Sequence, residues 1–482
     1  MKDFRIIQAM LAPLARRAAT DLTSLTRFVT AASRRPSHSV RRAVATTASA
    51  AMADDKFSLP ERYKGTEKNI WVEFIQLALE HKPLNLGQGF PDYGCPKHVT
   101  EGLAEVMHDP NLLLNQYTRG YGHPRLVNAL AKLYSGLLDR TIDPFTEVLV
   151  SQGAYGCLYN AILGHVKPGD EVIIIEPFFD CYQPMVKIAG GTPVFVPLRP
   201  RQDAAARADG ALSSADWVLD PAELRAAFGP RTKMIILNTP NNPLGKVFTR
   251  PELELIAELC QSHNALCLSD EVYEWMVFKP AEHIRIAGLP GMWDRTITVG
   301  SAGKTFSVTG WKLGWAYGPA KLMHNLQVVH QNTLYTCSTP LQEALARSFE
   351  HEMSLMGSPE CYFTSLANDE LRPKRDYMAQ FLTDCGMKPV IPEGGYFMVA
   401  DWTSLDKSKI DLSPYTPGKP DDHRFVYWLV HHHKLQGIPP SSFYSAEHKK
   451  LAEHYIRFCF IKDDKNLEKA ESILKELKKS ME

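Results

Sequence analysis

The chain has 482 residues, of which 44% are hydrophobic and 22% are charged, and its 54 lysines and arginines balance its 54 aspartates and glutamates. Zero formal net charge gives no electrostatic support for nucleic acid or an anionic membrane as a partner. The length suffices for a large core in about two domains, and no apolar stretch is long enough to span a membrane. Nine scattered cysteines without a C-x-x-C pair predict reduced thiols in an intracellular compartment.

Residues 1–52 differ in composition from the rest of the chain. Arginines stand among alanine, serine and threonine, whereas only Asp3 and Asp21 are acidic. A basic, hydroxyl-rich and acid-poor N-terminus is typical of a mitochondrial transit peptide, so we predict import into the matrix. A basic tail without folded structure is the alternative, and a start at Met52 would give a cytosolic form.

An N-terminal arm is predicted for residues 53–93. Trp71–Leu79 has helical periodicity, and glycines at positions 87 and 89 then interrupt the pattern. A turn is the plain interpretation of two such glycines. We expect this arm to pack with the C-terminal domain.

Residues 94–365 are predicted to form a large α/β domain. Glu147–Ser151 and Glu171–Ile175 are apolar runs typical of buried strands, and Pro251–Ser262 has the pattern of a helix. Alternation of such strands and helices predicts a mostly parallel sheet covered on both faces. Arg199–Asp216, which is rich in alanine, arginine, aspartate and serine, is predicted to be a surface loop without a function.

Residues 366–482 are predicted to form a smaller α+β domain. A helix is expected at about Leu371–Cys385, with strands at Gly394–Val399 and Ile456–Ile461. Three consecutive histidines, His431–His433, are a candidate metal-binding motif. Adjacent histidines on a helix point in different directions, however, and no carboxylate or cysteine stands at ligand spacing. We therefore expect no metal site.

Three apolar strands of the large domain are each followed by polar side chains. Because open α/β sheets place their chemistry at the carboxyl ends of the strands, these side chains should converge. In chain order they are Asn238, Asn242, Asp270, Tyr273, Ser301 and Lys304. For Lys304 alone, a solvated loop lysine is the alternative, since glycine and serine are frequent in loops.

Asparagine, then Asp-x-x-Tyr, then Ser-x-x-Lys is an order that suits pyridoxal phosphate (PLP). A carboxylate keeps the pyridine nitrogen protonated, tyrosine and asparagine can hydrogen-bond the ring oxygen, and the lysine amine can attach the cofactor covalently. The turn Gln152–Gly156 opens a helix, whose free N–H groups suit an anion. We predict a phosphate cradle formed by the N–H groups of Ala154 and Tyr155 with Ser301 and Lys312.

Arg457 lies inside an apolar strand, where an unpaired charge is costly. It therefore needs an anionic partner. A structural carboxylate is one candidate, and the carboxylate of an amino-acid substrate, held by the planar guanidinium, is the other. On charge alone the two are equally supported.

Together these segments resemble the fold-type I aminotransferases, from about Phe57 to the C-terminus. Pro177–Tyr182 and Tyr455–Phe460 are part of the same resemblance. It is strongest for the kynurenine aminotransferase group, also called glutamine transaminase K or cysteine-S-conjugate β-lyase. Within that group, Gln331–Cys337 and Pro359–Phe363 resemble the branch of the third kynurenine aminotransferase.

The resemblance implies a ping-pong transamination with PLP as the cofactor. The implied donors are L-kynurenine, glutamine and aromatic or sulfur amino acids, and the acceptors are 2-oxo acids such as 2-oxoglutarate and glyoxylate. Kynurenine would give kynurenic acid, and cysteine S-conjugates would undergo β-elimination. The alternatives are an enzyme that is mainly a β-lyase and a non-catalytic binding protein with this fold; the latter should lack the lysine, aspartate or arginine that this chain has.

The resemblance also assigns roles to single residues. Lys304 is the catalytic residue, Phe179 stacks on the cofactor ring, and the active unit is a homodimer in which Tyr117 and Tyr335 reach the partner's site. The residues assigned to the cofactor are Lys304, Ala154, Tyr155, Phe179, Asn238, Asn242, Asp270, Tyr273, Ser301, Lys312 and Tyr117. Those assigned to the substrate are Gly89, Asn242, Arg457, Trp71 and Tyr335.

Overall fold

The computed structural model describes residues 57–67, 69–201 and 212–482. The segment predicted to be a transit peptide lies outside the described residues. Within the described part, Leu59–Glu482 belongs to one compact unit. None of the helices described is both long and apolar enough to cross a membrane.

The bounds of the elements follow in chain order. The strands are β1 Leu84–Asn85, β2 Val148–Gln152, β3 Glu171–Glu176, β4 Thr192–Pro197, β5 Arg199–Pro200, β6 Leu212–Ser213, β7 Trp217–Val218, β8 Thr232–Asn238, β9 Leu266–Asp270, β10 Thr296–Ser301, β11 Leu313–Tyr317, β12 Lys388–Ile391, β13 Phe397–Asp401, β14 Leu435–Gln436 and β15 Tyr455–Cys459. The α-helices are α1 Ile70–His81, α2 Lys97–His108, α3 Pro124–Leu138, α4 Gly153–His165, α5 Tyr182–Ile188, α6 Pro221–Ala227, α7 Arg250–Ser262, α8 Ala302–Thr305, α9 Ala320–Thr333, α10 Thr339–Ser354, α11 Tyr362–Ser365, α12 Arg372–Asp384, α13 Asp421–His433 and α14 Asp464–Met481.

A seven-stranded sheet with the order β2-β11-β10-β9-β8-β3-β4 forms the centre of the fold. The pairs from β10 through β4 are parallel, and only β11 pairs antiparallel, with β10 and β2. Its strands are apolar runs because helices cover both faces: α4 and α9 contribute to one core, and α6 and α7 to the other. The predicted mostly parallel α/β sheet is confirmed.

A second, four-stranded sheet has the order β15-β13-β12-β6. Helices α1, α12, α13 and α14 supply the apolar residues that pack around it, including Phe74 and Phe425, both fully buried. Periodicity predicted helices at Trp71–Leu79, Pro251–Ser262 and Leu371–Cys385. They are confirmed as α1, α7 and α12, and every end agrees to within two residues.

Two predictions of local structure are wrong. The described parts of Arg199–Asp216 are not simply a surface loop: β5 pairs with β7, β6 extends the second sheet beside β12, and Ser214 is buried, whereas residues 202–211 lie outside the described residues. Two-residue strands are too short to show a period of two, so the pattern did not reveal them. The strand predicted from Gly394 begins instead at Phe397, because Gly395 takes a left-handed φ of 72° in a turn.

The register of the central sheet determines which polar residues become neighbours. Asn238, the last residue of β8, pairs with Asp270, the last of β9, and Asp270 in turn pairs with Val299 of β10. The four-residue helix α8 follows β10 directly and carries Lys304. Three strand ends therefore deliver an amide, a carboxylate and an amine to one edge of the sheet.

Candidate active site

A cavity of about 330 Å³ opens at the carboxyl ends of β8, β9 and β10. Nearly all of the residues predicted from the sequence line it. They are Trp71, Gly89, Ala154, Tyr155, Phe179, Asn238, Asn242, Asp270, Tyr273, Ser301, Lys304, Lys312 and Arg457. The structure thus brings together side chains from the N-terminal arm, the central sheet and the second sheet.

Tyr117 and Tyr335 do not line this cavity. Their side chains are exposed, Tyr117 to 85% and Tyr335 to 55%, and their rings lie edge to face with centroids 6.0 Å apart. The role predicted for both tyrosines, in the site of a partner subunit, stays a prediction.

The amine of Lys304 faces two oxygen atoms. Its Nζ donates to the carbonyl of Gly89 at 3.3 Å and to the hydroxyl of Tyr396, which itself donates to the Gly89 carbonyl at 2.8 Å. A side chain at position 89 would place its Cβ 2.3 Å from a ring carbon of Phe397, so only glycine lets the chain pass this close. Burial, with smaller contributions from the positive charges of Arg457 and Lys312, lowers the pKa of Lys304 to about 8.

Asp270 is the buried carboxylate of the site. Its Oδ2 accepts a hydrogen bond from the hydroxyl of Tyr182 at 2.6 Å, and burial raises its pKa to about 6. Asn238 connects the backbone of Asp270 to the loop after β8: its Nδ2 donates to the backbone carbonyl of Asp270 at 3.0 Å, and its Oδ1 accepts from the backbone N–H of Asn242 at 2.7 Å. A buried carboxylate held in this way is suited to pair with a cationic ring nitrogen.

The start of α4 forms an anion cradle. Gly153 has a φ of 69°, and Gly314 of β11 packs so closely that a Cβ there would lie 2.4 Å from the backbone nitrogen of Ala154. Lys312 and Ser301 line the same end of the cavity, so a cation and a hydroxyl join the unpaired N–H groups of the helix. This donor set fits a phosphate group.

Arg457 is 0% exposed in the middle of β15. Its NH1 donates to Oδ1 of Asn242 at 2.9 Å and its NH2 to the carbonyl of Gly87 at 2.7 Å, while the ring of Phe397 lies 4.0 Å from its guanidinium carbon. Burial lowers its pKa to about 10.

The positive charge of Arg457 has no ion-pair partner in the part of the chain that the structure describes, and its Nε has no hydrogen-bond partner. Asp180 is the acid whose charge acts on the guanidinium, but it forms no ion pair with it within the described residues. Of the two alternatives for its partner, the geometry therefore favours a carboxylate that arrives in the cavity.

Sequence reasoning missed Tyr396 and assigned no role to Tyr182. Tyr396 is 92 residues from Lys304 in the chain and reaches it only because the second sheet packs over the cavity. The sequence pattern predicts only a strand over Gly394–Val399 and gives Tyr396 no role. Tyr182 stands at the start of α5, and its hydrogen bond to Asp270 spans 88 residues. No local pattern could have predicted either contact.

An amine, a carboxylate and an anion cradle at one edge of this sheet, with an arginine from a second sheet, define a fold-type I aminotransferase. Residues 81–473 match the family model described as aminotransferase class I and II, and the chain belongs to that family.

Relatives within the family agree with the resemblance drawn from the motifs. The chain is 53% identical over 420 residues to kynurenine–oxoglutarate transaminase 3 of Homo sapiens, covering 87% of this chain and 90% of the relative. It is 49% identical over 418 residues to kynurenine–oxoglutarate transaminase 1 of Homo sapiens, covering 86% of this chain and 97% of the relative. A solved structure of Bna3p, a putative kynurenine aminotransferase from Saccharomyces cerevisiae, superposes with a TM-score of 0.80 at 34% identity, covering 88% and 99%.

The lowered pKa of Lys304 can be measured without cofactor. In the cofactor-free chain we expect the amine to become reactive with a midpoint near pH 8, because burial penalises its charged form, whereas an ordinary lysine titrates at about 10.4. Trace acetylation at a series of pH values, followed by peptide mass spectrometry, gives the titration curve of each lysine in one sample. Surface lysines serve as the internal control, and a Lys304 curve that coincides with theirs would contradict the assignment.

Proposed function

We propose that this chain is a PLP-dependent aminotransferase that transfers the amino group of L-kynurenine to a 2-oxo acid, with kynurenic acid as the cyclised product. Glutamine and other aromatic or sulfur amino acids are further donors, and 2-oxoglutarate and glyoxylate are acceptors. One observation carries the proposal: Arg457, buried without an ionic partner in the described residues, lines the same cavity as the enclosed amine of Lys304. The names of the relatives agree with it.

The residues of the cavity fit PLP. Ser301, Lys312 and the N–H groups of Ala154 and Tyr155 would hold the phosphate, and Asp270 would pair with the pyridine nitrogen. When bound, PLP supplies an electron sink that stabilises negative charge at the Cα of an amino acid. The remaining contacts would come from Phe179 on the ring face, Asn238 and Tyr273 at the ring oxygen, and Asn242.

The substrate end of the cavity is built to bind an amino-acid carboxylate. The planar guanidinium of Arg457 would hold the carboxylate with two parallel hydrogen bonds, and Asn242, already bonded to that guanidinium, keeps it in place. Trp71, whose ring lies 5.4 Å from the guanidinium carbon, and Gly89 border the same space. Aromatic walls from Trp71, Phe90 and Phe397 favour a large, flat donor side chain.

Lys304 is the residue that moves the proton. With its pKa near 8, a large enough fraction of the amine is neutral at physiological pH to accept the proton from Cα as a general base. The hydroxyl of Tyr396 and the carbonyl of Gly89 orient Nζ before it acts. The same proton removal serves β-elimination when the donor carries a good leaving group on Cβ, so cysteine-S-conjugate β-lyase activity is the second candidate function.

The active unit is proposed to be a homodimer. Tyr117 and Tyr335 are exposed with their rings edge to face, and Leu112 and Leu113, a few residues before Tyr117 in the chain, are exposed to more than 70%. Exposed apolar side chains grouped with aromatic ones suit an interface between subunits. Two-fold symmetry would make the exchange reciprocal, so that one interface completes both sites. Residues 1–52 are proposed to direct the chain to mitochondria.

The central proposal is tested on the full chain loaded with PLP. We expect kynurenic acid to form from L-kynurenine only when a 2-oxo acid is present, and borohydride reduction followed by peptide mapping to place the pyridoxyl group on Lys304. Lys304→Ala, the matched control, should lose both signals. Turnover of β-chloroalanine that exceeds transamination and needs no 2-oxo acid would favour the β-lyase function, and a label on another lysine would refute the site.

Arg457→Lys separates charge from geometry. The substitution keeps a positive charge but loses the planar pair of donors. We therefore expect kcat/KM for L-kynurenine to fall about 30- to 1,000-fold, which corresponds to a loss of about 2–4 kcal/mol of transition-state stabilisation. Steady-state kinetics measure the loss, and retention of the cofactor's absorbance shows that the variant is folded and loaded. Unchanged kinetics in such a variant would show that Arg457 does not bind the substrate.

Complementation tests the shared site. Tyr117→Phe/Tyr335→Ala subunits and Lys304→Ala subunits should each be severely impaired alone. After mixing under conditions that allow exchange, each hybrid dimer would contain one site with an intact lysine from one parent and intact tyrosines from the other. Activity should therefore reappear. Hybrids demonstrated by mass spectrometry that show no recovery would mean that the tyrosines serve their own subunit.

A further inference from the structure

A second cluster of potential ligands lies between helices α2 and α10, outside the cavity. It consists of His98 on α2 and of His351 and Glu352 on α10, and none of the three lines the cavity. One ligand atom from each residue lies within 4.8 Å of the others, and the two imidazole rings are 4.4 Å apart. Nothing in the proposed transamination uses these side chains.

Glu352 is a buried carboxylate without a strong cationic partner. Its side chain is 1% exposed, and one oxygen accepts the backbone N–H of Tyr362 at 2.6 Å. The other oxygen lies 3.1 Å from Nε2 of His98, and within the described ranges no lysine or arginine pairs with Glu352. Because a buried carboxylate is costly unless its charge is compensated, this position calls for a cation or a shared proton.

His98 presents a nitrogen with no hydrogen bond. Its Nε2 is shielded from solvent and lacks a partner with hydrogen-bond geometry despite its nearness to Glu352. His351 is exposed, which leaves one side of the cluster open to water.

We propose that His98, His351 and Glu352 bind a divalent transition metal of the zinc class. Two imidazole nitrogens and one carboxylate oxygen are a donor set that zinc accepts in tetrahedral sites. Bonds of about 2.0–2.2 Å place ligand atoms about 3.5 Å apart. Nε2 of His98 and a carboxylate oxygen of Glu352 are 3.1 Å apart, and the three ligand atoms lie within 4.8 Å of one another. Water from the open side supplies the fourth ligand. Magnesium prefers oxygen donors and octahedral geometry, so it should not compete.

The position of this site indicates a structural role. The metal would join α2 to α10, and Glu352 is oriented by the N–H of Tyr362, the kind of outer contact that fixes a ligand. The hydroxyl of Tyr362 lies 3.0 Å from Oγ of Ser307, three residues after Lys304, and the ring of His98 packs edge-on against Phe306. The metal would therefore stabilise Phe306 and Ser307, which directly follow α8 and its Lys304.

Calorimetric titration of the full, PLP-loaded chain with Zn²⁺ after chelator treatment tests the proposal. We expect one site per chain that discriminates against Mg²⁺, and at least a tenfold loss of Zn²⁺ affinity in each of His98→Gln, His351→Gln and Glu352→Gln. His351 is exposed, so its variant should fold even if Glu352→Gln does not. A zinc anomalous peak between the three side chains would locate the ion.

Two matched variants serve as controls, and both should keep the site. His431→Gln removes a surface ring that lies 4.1 Å from that of His81, and His283→Gln disrupts a buried Glu271–Glu274–His283 cluster in which Arg285 already pairs with Glu274. Loss of binding in either control but not in the His351 variant would place the ion elsewhere. Absence of Zn²⁺ binding to the wild-type chain, or equal binding by all variants, would refute the metal site.

Discussion

Parallel pairing of β8, β9 and β10 is the constraint on which the rest of the site depends. Residues at the carboxyl ends of adjacent parallel strands become lateral neighbours, and here the register places Asn238 beside Asp270 and Asp270 beside Val299. The next turn of the chain, α8, then holds Lys304 above that edge. A shift of one residue in either pair would turn the carboxylate to the opposite face of the sheet, because side chains alternate along a strand.

Burial of charge gives the cavity its chemistry. Lys304, Arg457 and Asp270 are all withdrawn from water, and in each case burial is the main cause that shifts the pKa toward the neutral form. Such groups are costly in the folded chain, so they gain most from a ligand that brings complementary charge. An amino acid's carboxylate beside Arg457 and a protonated ring nitrogen beside Asp270 would provide that compensation.

The second sheet and the N-terminal arm close the cavity from the other side. β13 and β15 contribute Phe397 and Arg457, and the turn before β13 contributes Tyr396. The arm is attached to this sheet region by the parallel pair β1–β14 and by the hydrogen bond from Arg457 to Gly87. Gly87 and Gly89 permit the approach, since a Cβ at Gly87 would lie 2.8 Å from the carbonyl oxygen of Gly437. The end of the cavity that holds Arg457 therefore exists only where three segments distant in sequence meet.

The sequence by itself determined the α/β class, the long helices and buried strands, and the polar residues that follow three of the strands. These are local properties: periodicity reports which face is buried, and the end of a parallel strand marks where chemistry converges. Tertiary structure alone decided the contacts of Lys304 with Tyr396 and of Asp270 with Tyr182, the two-residue strands β5 to β7, and the meeting of His98 with Glu352, 254 residues later in the chain. Each of these depends on packing between elements far apart in sequence. Residue spacing within a short segment does not predict which surfaces pack against each other.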